Sequence, residues 1–470
     1  MPRVRALGPA SRWLDGAVTA SVIATIVAVA IGSGSVVSLV HVGHGLRWVA
    51  LFAFAVFSVT SYAATGARRR LDRFVAGAGL AFLALLFLSL SWSVLPRLTG
   101  ERATSLAVIV LGVAAAVLGG GPARLERLAD GMVIGAVAVV VLGVPVLMFA
   151  YGDAVQGALD AAPRYRGIGE NPNTVSLLAA LALPLAVRYL TAEAGPRARL
   201  LGLVGVAALV VQIAVSGSRG ALAAGLVGSA IAVLLPASGL RTVLRRAATV
   251  AAVTVAALLV ARVALPASAT VAVPVQGPLA VPVQGQPAVG SASPGSAGKS
   301  GGGGKSGGGG RLEDELGSPD ALQPGVRPFG SGRFQAWVGA VRQGEKVPVL
   351  GYGFGTEDRV FIDRYYTFEG ARPENSFIGL FMQVGIVGLT AFLALLAGTA
   401  ANVWRRGRRR WRDDPLLTSV AAAFCAGLLL MGVQSYVYSA GNIAALSFWL
   451  CIGICAVGAS VVIPARGGAL

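Results

Sequence analysis

The chain has 470 residues, is 55% hydrophobic and only 13% charged, and has a mean hydropathy of +0.73, which excludes the ordinary soluble classes. Apolar runs of about 20 residues recur along it, long enough to cross roughly 30 Å of hydrocarbon as helix. A formal charge of +18 would point to nucleic acid in a soluble protein, but here the arginines gather in alternate short connections between apolar runs, where they fix topology.

In chain order, twelve spans are expected at about 16–40, 48–65, 74–94, 103–119, 131–150, 173–190, 199–216, 220–236, 248–264, 376–402, 415–437 and 440–462. Arg3, Arg5 and Arg12 precede an apolar stretch, Gly16 to Val40, that is too long for the core of a signal peptide, so it reads as an uncleaved first span. One set of connections carries Arg68, Arg69, Arg70, Arg73, Arg124, Arg127, Arg197, Arg199, Arg241, Arg245, Arg246 and the run from Arg405 to Arg412, with Arg466 near the end. The other set is sparse in cations, with Arg47, Arg97, Arg102, Arg164, Arg166 and Arg219. By the positive-inside rule both termini are cytoplasmic and the active face would be extracytoplasmic. The expected fold is an all-α, multi-pass protein of the cytoplasmic membrane. Residues 1–264 supply spans one to nine, 265–325 a low-complexity part of one long outer loop, 326–375 a structured part of that loop with a surface helix, and 376–470 the last three spans.

Ionisable residues are nearly absent from span interiors, with Arg188, Arg219 and Arg262 at predicted ends. A cation at the bilayer centre costs at least about 2.5–3.5 kcal/mol, so ion-coupled carriers keep such groups only where function demands them. The pattern argues against a proton- or sodium-coupled carrier and leaves a facilitator or flippase open. Cys425, Cys451 and Cys455 read as packing residues, and His41 with His44 in the first outer loop makes too small a set for a metal.

Before span six the chain reads R-Y-R-G-I-G-E-N-P-N-T. Asn173 or Thr174 can cap the span, with Asn173 equally able to serve a ligand; Arg164 and Arg166 flank Tyr165 and in an extended segment would face one anion together, or simply be solvated. The tight S-G-S-R-G turn from Ser216 to Gly220 puts Arg219 at the start of a helix, where a guanidinium beside free N–H groups makes an anion site. In the long loop, A-V-P-V-Q-G repeats give way to Gly/Ser-rich sequence, a tether that cannot bury a core. Its G-K-S triplets lack the first glycine and the strand of a phosphate loop. Further on, Ser331 can cap a helix whose stripe of Phe334, Trp337, Val338 and Val341 suits a membrane surface, with Arg333 in its first turn where a bound anion would suit it. G-Y-G-F-G-T gives a flexible aromatic turn. In D-R-Y-Y-T-F, Tyr365 and Tyr366 can either stack on sugars or anchor at the interface, and Arg372, Pro373 and Glu374 return the chain to the bilayer.

Most of the chain resembles the O-antigen ligase and O-antigen polymerase-like membrane glycosyltransferases. The likeness lies in the twelve-span layout with a long outer loop before the third-last span, and in S-G-S-R-G, N-P-N, G-S-G-R-F-Q-A-W, G-Y-G-F-G-T and E-N-S-F-I-G-L-F-M-Q-V-G-I-V-G-L, in that order. The resemblance implies a GT-C type architecture. It also implies transfer of a glycan from a polyprenyl-pyrophosphate carrier to a glycan or lipid acceptor on the outer face, with no metal, cofactor or nucleic acid. One position departs from the pattern: Glu374 stands where the family usually has histidine. On this reading Arg219, Arg166 and Arg333 hold pyrophosphate, with Arg164 and Arg372 in reserve. Glu374 is the general base or a helix-start anion, and Asn375, Asn173 and Tyr365 bind substrate. A repeat-unit polymerase or a non-catalytic transporter is the alternative.

Overall fold

The computed structural model describes residues 9–64, 67–120, 123–158, 161–191, 195–264, 333–361, 372–457 and 463–464. The tether (265–325), the expected Ser331 cap, and Tyr365 with Tyr366 lie outside the described residues. The fold is all-α. Its helices are α1 (Pro9–Gly32), α2 (Val37–Ala64), α3 (Arg73–Leu88, prolonged by the tight turn Ser89–Ser91), α4 (Pro96–Leu118) and α5 (Ala123–Phe149). They continue with α6 (Tyr151–Ala154), α7 (Pro172–Thr191), α8 (Pro196–Ser216), α9 (Arg219–Leu234) and α10 (Leu240–Ala264). The last are α11 (Arg333–Gly344), α12 (Glu357–Val360), α13 (Ser376–Arg410), α14 (Pro415–Met431) and α15 (Ala445–Ala456).

Nine of these helices, among the described residues, are long and apolar enough to cross a membrane. The other three of the twelve expected spans are α9, α14 and α15, which are apolar but short. At 1.5 Å per residue, the 12 residues of α15 rise only about 18 Å. The missing length lies in the link between α14 and α15, which is not helical and buries Tyr436, Val437 and Tyr438. Irregular backbone at such a place is tolerated because protein, not lipid, surrounds it.

α7 is the axis of the bundle. Every residue from Thr174 to Tyr189 is buried, and the helix packs against α5, α8, α9 and α14. By contrast α10 leans on α8 and leaves Leu244, Val255 and Leu259 exposed, a lipid-facing pattern.

The connections segregate to two ends. The arginine-rich end is tied by Arg124 to Asp15 (2.7 Å), by Arg405 to Asp72 (2.9 Å), and by Asn402 Nδ2 donating to the Cys455 carbonyl (2.7 Å). There β1 (Ala67–Arg68) pairs antiparallel with β4 (Ile463–Pro464). At the opposite end Ser33 Oγ donates to the Gly441 carbonyl (2.7 Å), and β2 (Val155–Ala158) pairs with β3 (Ala161–Tyr165) ahead of α7.

Several expectations need correction. His41 and His44 lie in the first turns of α2 rather than in a loop, because α1 ends at Gly32 and a short turn suffices. The cap of α7 is Asn171, whose Oδ1 accepts from Thr174 N (3.0 Å); Pro172 opens the helix, where its missing N–H costs nothing. Helix α11 docks through Ala336 and Ala340, packed with Phe361 and Met382, while Phe334 points outward. Small residues make the contact because they let two backbones approach closely, while Trp337, Val338 and Val341 are half-buried.

Candidate functional site

The site is built around a break in α13. Val384 and Gly385 leave helical geometry, Gly385 with φ 60 and ψ −166, so the helix is two pieces. The freed backbone groups are taken up by the G-Y-G-F-G segment. Ile386 N donates to the Pro348 carbonyl (2.9 Å), Tyr352 N to that of Met382 (3.0 Å) and Gly353 N to that of Gln383 (2.8 Å). A side chain at Gly385 would collide with the Val349 carbonyl. The segment expected to be a flexible turn is therefore an inlay in the broken helix. Its three glycines at positive φ, Gly351, Gly353 and Gly355, let it lie flat against the backbone of α13 and the α3–α4 link.

The inlay delivers Glu357, at the start of α12, into the bundle. Only 1% exposed, its carboxylate accepts from Tyr438 Oη (2.7 Å) and Gln383 Nε2 (3.2 Å) and pairs with Arg372 (3.3 Å). Burial raises its pKa, against the pull of Arg372 and Tyr438. Gly379 is required beside it, since a Cβ there would overlap both Tyr438 Oη and Glu357 Oε2. Next to it Arg102 holds Asp358 with two bonds (2.7 and 2.8 Å). For Asp358 burial pushes upward, but this grip and the Arg102 charge prevail and its pKa lies low. Sequence reasoning passed over Glu357, Tyr438, Gln383 and the Arg102–Asp358 pair. The acidic Glu357–Asp358 step right after a glycine-rich segment was the available signal.

Glu374 sits one residue before the Asn375 cap of α13. It is the single non-glycine residue with positive φ among the described residues (φ 53). Its side chain is half-buried. Burial pushes its pKa up to about 7; Arg333 and Arg372 pull it down, while Glu357 and Glu170 push it further up. A carboxyl poised near neutrality on a strained backbone is the property expected of a group that moves a proton.

Cations collect beside it. Arg164 is fixed by Nε donating to the Ser216 carbonyl (2.6 Å) and Nη2 to Asn173 Oδ1 (2.6 Å). Its pKa is lowered by burial first and then by the charges of Arg333 and Arg219, so the three guanidiniums share one field. Among the described residues neither Arg219 nor Arg333 has a carboxylate at ion-pair distance. The charges of Arg333 and Arg372 thus act on Glu374, and those of Arg333 and Arg219 on Arg164, with Arg333 common to both. Arg166 turns away: beyond β3 the chain bends through Gly167 (φ 59), and its guanidinium donates to the Asp153 (2.8 Å) and Gly152 (3.3 Å) carbonyls. The expected convergence of Arg164 and Arg166 on one anion is therefore absent. Asn173 orients Arg164, and Asn375 is committed to structure: its Oδ1 accepts from Phe377 N and Ile378 N, and its Nδ2 donates to the Gly432 carbonyl (2.9 Å). Among the described residues no group of three His, Cys, Asp or Glu is placed to hold a metal.

Fold and site together define an all-α, multi-pass membrane protein with a charged cluster at one end of its helix bundle. No protein-family model matches the chain, and no curated protein matches it. Among solved structures it is similar to a chain of one titled "Structural coordination of polymerization and crosslinking by a peptidoglycan synthase complex". That pair is 16% identical, with 82% of this chain and 97% of the other covered, at a TM-score of 0.39.

Proposed function

We propose that this protein is an O-antigen ligase-like membrane glycosyltransferase. It would move a glycan from a polyprenyl-pyrophosphate carrier to a hydroxyl of a glycan or lipid acceptor, on the outer face of the cytoplasmic membrane. One observation carries the reading: a half-buried carboxyl with a pKa near 7, Glu374, lies in the field of Arg333, which with Arg219 also acts on Arg164, and neither Arg333 nor Arg219 has a carboxylate at ion-pair distance among the described residues.

Ionised Glu374 takes the proton of the acceptor hydroxyl as its oxygen attacks the anomeric carbon. The bond from that carbon to the pyrophosphate oxygen breaks, and Arg164, Arg219 and Arg333 receive the charge that develops on the leaving group. Arg372, tied to Glu357, acts on both carboxylates and offsets their like charge. The test is to incubate the purified protein with a polyprenyl-pyrophosphate glycan and candidate acceptors. Release of polyprenyl pyrophosphate in step with a ligated product is expected, with an acid limb near pH 7, and Glu374→Gln should reduce the rate by about 10²–10⁴. Lipid-linked glycan moved across a bilayer with no product formed would replace transfer by transport.

A further inference from the structure

A second charged site lies at the other end of the bundle. A shallow depression of about 440 Å³ is lined by Arg69, Arg70, Leu71, Arg73, Ala76 and Leu118. Three cations line it and no acid does. The nearby acids are committed elsewhere: Asp72 caps α3 through Phe74 N and Val75 N and pairs with Arg405, while Asp15 pairs with Arg124 and Arg127. Arg69 is buried, with Nη1 donating to the Val117 carbonyl (3.2 Å), and so forms a fixed wall. Burial, and then the charge of Arg124, hold its pKa down at about 10, while the charge of Asp15 pulls it up. Arg70 and Arg73 are exposed, and among the described residues neither is ion-paired.

From Arg73 onward α3 also carries an exposed apolar track. Phe74, Leu80, Phe87 and Leu88 are all exposed along one side of α3, and nothing lies within 4 Å of where a side chain at Gly77 would begin. A phosphate in the depression would therefore have a greasy channel running from it along the helix, toward the bilayer interior. We infer that Arg69, Arg70 and Arg73 bind the headgroup of an anionic phospholipid whose acyl chain lies along α3 over Gly77. Soluble phosphate has the same headgroup chemistry but no use for the track. Basic pockets between helix ends hold such headgroups by charge and hydrogen bonds together.

The experiment uses the full chain in neutral detergent micelles, with bound lipid counted by native mass spectrometry during titration with phosphatidylglycerol, phosphatidylcholine or inorganic phosphate. One saturable copy of phosphatidylglycerol is expected, undisplaced by millimolar phosphate and not matched by phosphatidylcholine. Arg70→Ala with Arg73→Ala should weaken it tenfold or more, and so should Gly77→Leu, which fills the track. Arg197→Ala with Arg199→Ala, both exposed in the first turn of α8 at the same end, should leave it unchanged. Equal loss in the two arginine pairs would reduce the effect to general surface charge and overturn the site. Full competition by phosphate, or indifference to Gly77→Leu, would overturn the lipid assignment.

Discussion

Replacing Glu374 with glycine should make the protein more stable while abolishing transfer. The left-handed backbone at this residue costs a side chain with a Cβ about 1–2 kcal/mol. Glycine returns part of that through its greater freedom in the unfolded chain, about 0.4–1 kcal/mol, leaving a net gain of roughly 0.5–1 kcal/mol. The carboxyl adds a contribution that depends on pH. Its folded pKa of about 7 lies above the ordinary 4.5, so the folded state holds the proton more tightly. The stability this confers is complete below 4.5 and is lost as pH rises through 7. At full strength that interval corresponds to about 3 kcal/mol; solvent screening of a half-buried group reduces it to roughly 1–2 kcal/mol. The glycine variant escapes this loss. Its advantage over wild type should be about 0.5–1 kcal/mol near pH 4.5 and about 1.5–3 kcal/mol near pH 8. Thermal unfolding in micelles at both pH values and one scan rate measures it, as a rise of a few degrees in apparent Tm that is larger at the higher pH. A fall in Tm at pH 8, or a difference independent of pH, would show that Glu374 is a structural ion-pair partner of Arg333 and Arg372 and would refute the reasoning.

Arg219→Ala and Arg333→Ala should each slow transfer by about 10²–10³, as for loss of one donor to a developing oxyanion. Their Tm should barely move, because no ion pair is lost among the described residues. Tyr438→Phe leaves the buried Glu357 carboxylate short of a donor (2.7 Å) and should cost about 1–3 kcal/mol, read as a lower Tm. Gly385→Ala forces a side chain into positive φ against the Val349 carbonyl, so less folded protein should be recovered on size-exclusion chromatography.

Hydropathy carried the helices, because bilayer thickness sets their length and composition marks them. It carried less well where protein replaces lipid around the backbone. Residues 432–444 are apolar enough to read as parts of two spans, yet they are irregular, since their polar groups find partners in Ser376, Asn375 and Gly427. Glu374 and the cations around it were legible as residue types near helix ends. Their grouping was not, because Arg164, Arg219, Arg333 and Glu374 come from four separate segments that only the folded bundle relates to one another. Glu357 was hidden for a different reason. An acid in the first turn of a short helix is ordinary on a surface, and only the inlay of G-Y-G-F-G into α13 makes it a buried one.

That break in α13 has a mechanical consequence. A continuous helix of its 35 residues would be about 52 Å long, and any change in bilayer thickness would tilt it as a single rod. Parted at Val384 and Gly385, it becomes a long shaft and a short stub clamped to the inlay and to the α14–α15 link. The shaft can follow the membrane while the stub that carries Asn375, with Glu374 at its tip, keeps its place. Glu374 and its cap are thereby tied to the inlay and the link rather than to the shaft.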